Sequence, residues 1–144
     1  MDLRDLELSG HVSRESLTSG EAARFQDSIT ERLEDAKNAK NSNRTRLEQA
    51  YHAILNCAWI ALRVDGYRVH SMPGHHRIVL ESLSETMGTA NKDIDYFLTL
   101  SRTRGLDLYE AMPVSDSDVD DAIEEAAILA KKLSLWLEAR APDC

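Results

Sequence analysis

Two arginines and a tyrosine in the segment 91–110, NKDIDYFLTLSRTRGLDLYE, have the types and spacing to act on an anion. Asp95, Thr99, Arg102, Leu106 and Tyr109 follow one another at spacings of four, three, four and three, which a helix would align on one stripe. Arg102 and Tyr109 then lie about two turns apart, and Arg104 is rotated from Tyr109 by roughly 140° at 100° per residue, on the flank of the stripe. A fixed guanidinium beside a phenol holds a phosphate and hydrogen-bonds to a sugar or base, and Asp95 would offset part of the positive charge. The same pattern also suits a solvated helix face with one half-buried tyrosine.

Three further groups invite a chemical reading. His70, His75 and His76 surround the Pro and Gly of YRVHSMPGHH. Neighbouring histidines on a helix point about 100° apart and have no carboxylate or cysteine at ligand spacing, so a shared metal is not expected. They read as polar residues at a helix start, with His76 assigned to the arginine groove. Asp116, Asp118, Asp120 and Asp121 resemble a metal cluster, but acidic residues in a first turn are what a helix dipole favours. Cys57 and Cys144 cannot form a disulfide framework or a full zinc site, and Cys57 reads as core packing. No metal or cofactor is expected.

The elements that must position these residues are helical. Residues 43–66, NRTRLEQAYHAILNCAWIALRVDG, are apolar around most of a helical circumference, leaving Glu48, His52, Asn56 and Arg63 as a narrow polar stripe. A helix of this kind is enclosed by others, and Asn56 interrupts it too early for a membrane span. Before it, Thr18 and Glu21 fit a capping box, and Ala22, Phe25, Ile29, Leu33 and Ala36 form one apolar face. The short link 38–43 makes these two helices antiparallel neighbours, with Ser42 or Asn43 as the second cap. Arg44 and Arg46 fall in the first turn of the central helix, where the dipole disfavours cations and an anion would relieve the conflict.

A third helix runs from about His75 through Ile78, Val79, Leu83, Thr86 and Met87 to a capping Gly88. Asn91 caps a fourth, with Ile94, Phe97, Leu98, Ser101, Gly105 and Leu108 inward. Pro113 ends that helix, and Ser115 with Asp118 caps a fifth that extends to about Ala139. Residues 1–17 read as a loosely attached arm, and 18–141 as a single domain. The fold class is all-α, an antiparallel bundle of about five helices.

Composition agrees: 42% hydrophobic and 29% charged residues are globular values, and few Gly and Pro leave little material for a sheet-rich fold. A net charge of −8 argues against general binding to nucleic acid or anionic membrane. The charge is uneven, however, with five arginines against Glu48 and Asp65 in 42–77. The first residues, MDLRDLELSG, lack the apolar segment of a signal peptide or anchor, so a reducing cytoplasm is expected.

The layout resembles the HEPN superfamily of helical nucleotide-binding and ribonuclease-like proteins. The likeness covers about Glu21 to Ala139, and its carriers are the alanine-rich helix LEQAYHAILNCAWIALRVDGYR and the turn from RTRGLDLYE into a long acidic-capped helix. Many members have an Arg, four to six residues, then a His, which two protomers bring together in an RNA-cutting cleft. Here Tyr109 stands where the His would be, and a phenol with a pKa near 10 is no general base at neutral pH. The resemblance therefore implies a noncatalytic homodimer that binds a nucleotide or RNA, or that partners a nucleotidyltransferase or another effector, through Arg102, Arg104 and Tyr109. Two alternatives stand beside it. One is a metal-independent endoribonuclease of toxin or defence type, with a histidine from the 72–76 loop supplying the acid–base group. The other is a helical adaptor that docks through its acidic last helix.

Overall fold

The computed structural model describes residues 2–15, 17–70, 75–110 and 113–140, without the side chains of residues 19 and 105–110. The chain is all-α apart from one small sheet. Its elements in order are α1 (Leu3–Leu8), β1 (Val12–Arg14), α2 (Ser19–Lys37), α3 (Asn43–Val64), β2 (Tyr67–Val69), α4 (His75–Glu81), α5 (Leu83–Thr86), α6 (Asn91–Glu110) and α7 (Asp116–Arg140).

The central rod is α3. Leu47, Ala50, Tyr51, Ala53, Ile54, Leu55, Cys57, Ala58, Ile60, Ala61 and Leu62 are each no more than 4% exposed. The long helices α2 and α7 pack on α3, and α4, α5, α6 and β2 close the remaining sides. Helix α2 starts where the capping box requires: Thr18 accepts from the Glu21 amide at 3.2 Å, and the Glu21 carboxylate accepts from the Thr18 amide at 3.4 Å. Helix α3 is capped by Ser42, which accepts from the Thr45 amide. The stripe Val119, Ala122, Ala126, Leu129 and Leu133 seats α7 in the core.

Arg46 needs no outside anion. Its Nε donates to the carbonyl of Ala36 at 2.8 Å, because the antiparallel hairpin sets the negative end of α2 beside the positive end of α3. Asn43 donates to the Val114 carbonyl and the Asp116 carboxylate, joining the starts of α3 and α7.

Within the expected loose arm, the described residues form a helix and a strand that pack against the bundle. Asp2 caps α1, and β1 pairs antiparallel with β2 in the register Val12 to Val69, Ser13 to Arg68 and Arg14 to Tyr67. Leu6, Val12, Tyr67 and Val69 all reach the core. Short strands paired with residues more than 50 positions away leave no local periodicity to read. The expected third helix is two pieces, α4 and α5, separated at Ser82, whose buried hydroxyl donates to the Val79 carbonyl at 2.6 Å. Gly88 has the left-handed φ of 67° expected of a closing glycine. On α6, Leu100 joins Ile94 and Phe97 in the buried face.

Candidate functional site

The buried face of α6 turns Ser101 and Arg104 toward α3, where they meet the polar stripe of the central helix. Arg104 Nη1 donates to Glu48 Oε1 at 3.0 Å. His52, one turn along α3, lies with Nε2 2.9 Å from the same oxygen, so its ring donates from Nε2. The Arg104 guanidinium sits 4.6 Å from the centroid of the Tyr51 ring, a cation–π contact that fixes its plane. Tyr51 donates its phenol proton to Ser101 Oγ at 3.2 Å. The phenol oxygen is then free to accept from His76 Nδ1 at 3.3 Å, which leaves His76 Nε2 as the unprotonated nitrogen.

Burial sets the electrostatics of this cluster. It lowers the pKa of His52 below the ordinary 6.5 despite the Glu48 carboxylate, with Arg32 and Arg104 acting in the same direction. It also lowers His76, helped by the neighbouring His75 and by Arg104. Both rings are therefore held neutral at pH 7, while burial raises the Tyr51 phenol. Arg104 Nε–H is buried without a hydrogen-bond partner among the described residues, a donor the fold leaves over.

The expected site is thus partly assembled and partly divided. Arg104 and His76 come together around Tyr51. Arg102, expected on the stripe that faces away from the inward set, is exposed with Asp95 and Thr99 as that stripe requires, and among the described residues it bonds Thr99 on its own helix, at 3.4 Å. Asp95 lines a different cavity of about 340 Å³ with Leu6, Arg77 and Glu81. Tyr109 lies on the last part of α6, and its side chain is outside the described set. The helical rotation that turns Arg102 outward points Arg104 at α3, so the two arginines face different surfaces.

Glu48, Tyr51, His52 and Ser101 were not expected at the site. Glu48 and His52 had a visible signal, an i,i+4 acid–imidazole pair on an otherwise apolar helix. Tyr51 reads as one more apolar residue until its hydroxyl finds Ser101. Among the described residues no group of three His, Cys, Asp or Glu side chains is arranged to hold a metal, and no helix is long and apolar enough to cross a membrane. Comparison with protein-family models, curated proteins and solved structures finds no match to this chain.

Proposed function

We propose that this protein is a HEPN-like helical homodimer that binds a phosphate-bearing ligand, a nucleotide or a segment of RNA, at the Arg104 cluster. The observation that carries this reading is the convergence of Arg104, His52 and His76, from three helices, on one patch. With both imidazoles neutral and Glu48 balancing Arg104, the cluster holds little net charge when empty. An arriving phosphate would pair with the part of the Arg104 guanidinium that remains exposed and would favour protonation of both rings. The exposed stripe of Asp95, Thr99 and Arg102 on α6 supports a two-fold contact along that helix.

Thermal melting of the purified protein with inorganic phosphate and with AMP tests the reading. Both should raise the melting temperature, Arg104→Ala should abolish the rise, and Arg102→Ala should leave it. A wild-type protein unmoved by either anion would end the proposal. Light scattering at micromolar concentration should return a dimer, and a species of 16.2 kDa alone would remove the two-fold contact.

A second reading, metal-independent RNA cleavage, is favoured by the hydrogen bond between Tyr51 and His76. That bond orients an unprotonated imidazole nitrogen beside a guanidinium, which supplies the base that Tyr109 cannot. Incubation with total RNA separates the two readings: degradation that His76→Ala removes and Tyr109→Phe retains supports cleavage, and intact RNA supports binding alone.

A further inference from the structure

A cavity of about 840 Å³ opens between α2, α3 and the paired strands β1 and β2, two turns along α3 from the Arg104 cluster. Phe25 and Trp59 line it, and both are only half-buried. Its polar wall is a fixed ladder. Arg63 Nη2 lies 3.0 Å from Glu21 and 3.6 Å from Glu15, and Glu15 also pairs with Arg68 at 3.2 Å. Two arginines against two glutamates leave this wall neutral, so it is unsuited to a phosphate and suited to a polar ring without charge. Asn56, also on the wall, donates to Ser28 at 3.1 Å, its one side-chain hydrogen bond among the described residues, so most of its amide is available to an incoming edge.

The cavity and the cluster are joined by touching rings. Trp59 meets His75 edge-on at 6.5 Å between centroids, His75 meets His76 at 4.4 Å, and His76 meets Tyr51 at 6.2 Å. From His52 to Trp59 is seven residues of helix, about 10 Å, which matches the reach of a nucleotide from its phosphate to the far edge of its base.

We propose that this cavity is a nucleobase subsite, in which the base stacks on Trp59 with its edge toward Asn56 while its phosphate occupies the Arg104 cluster. This inference rests on the phosphate site proposed above and names the other half of its ligand. Aromatic side chains bind bases through their faces whatever the base, and amide groups read the edges.

The test uses the full chain with Trp136→Phe, which leaves Trp59 as the sole tryptophan of the two in the sequence. The four ribonucleoside monophosphates, adenosine and inorganic phosphate are titrated against its fluorescence. Adenosine and at least one monophosphate should quench Trp59, and phosphate alone should not. By calorimetry, Trp59→Leu should weaken the quenching monophosphate roughly tenfold with phosphate affinity unchanged, and Trp59→Phe, which keeps a ring, should bind nearly as wild type. Monophosphate binding without quenching, and with equal affinity in Trp59→Leu, overturns the base subsite and leaves the phosphate site standing. Quenching by adenosine in a protein that phosphate neither binds nor stabilises supports the base subsite and overturns the phosphate site. Absence of quenching by all five nucleosidic probes overturns the inference.

Discussion

At the residue scale, Glu48 Oε1 is the hinge of the cluster, because one carboxylate oxygen accepts from both Arg104 and His52. It holds the guanidinium against the Tyr51 ring and fixes the His52 tautomer, so its role is to position the groups that would meet a ligand. Cys57 shows the opposite kind of residue. It is fully buried among the alanines of α3, and burial pushes its thiol up to about 12, so it presents no thiolate. Cys57→Ala should cost about 1–2 kcal/mol through the small void it leaves, with phosphate binding unchanged. Cys57 should also react with a thiol reagent only at the rate of global unfolding. In a Cys144→Ser background, labelling of the native protein within seconds would contradict the burial.

At the scale of elements, the N-terminal helix and strand act as a clasp. The β1–β2 pairing continues on both sides of the ladder, since Glu15 N–H donates to the Gly66 carbonyl and His70 N–H to the His11 carbonyl. The clasp also brings Glu15 to Arg63, a buried cation at the end of α3 that Glu21 holds as well. The same end of α3 is tied a second time, with Arg140 of α7 bonded to the capping residue Asp65 at 2.6 Å and stacked on Trp136. Val12→Asp should therefore destabilise the protein by at least about 2 kcal/mol, because it sets an unpaired carboxylate opposite Val69 in the core. Leu8→Asp, at a position 79% exposed, should change stability little. Equal urea midpoints for the two variants would mean that the clasp contributes nothing.

At the scale of the whole molecule, the two depressed histidines couple stability and binding to pH in opposite senses. His52 and His76 take up protons more readily in the unfolded chain, where their pKa is near the ordinary 6.5. Their contribution is complete above that value and is lost as pH falls through it toward the lower folded pKa values. The ligand-free protein should then melt at a lower temperature at about pH 5.5 than at about pH 7.5, roughly one unit either side of the ordinary histidine pKa. A bound phosphate favours the protonated rings, so the stabilisation that phosphate adds should be larger at the acid end. Calorimetric scans with and without phosphate at both pH values read both effects. A phosphate-induced shift independent of pH would exclude the histidines from the site.

The sequence by itself determined what depends on local periodicity and caps. The Thr18 and Ser42 helix starts, the glycine after α5, the enclosed central helix and the apolar stripe of α7 are set by spacings within a few turns, and the fold bears them out. Tertiary structure alone decided what depends on distant partners. The pairing of β1 with β2 joins two three-residue segments too short to show a period, and Arg46 turns to a carbonyl that comes within reach only because two helices are antiparallel. The choice between Arg102 and Arg104 was of the same kind. Spacing put Arg102 on the outward stripe and Arg104 on its flank, and only the packing of α6 against α3 surrounded Arg104 with Glu48, Tyr51 and two histidines while Arg102 stayed exposed.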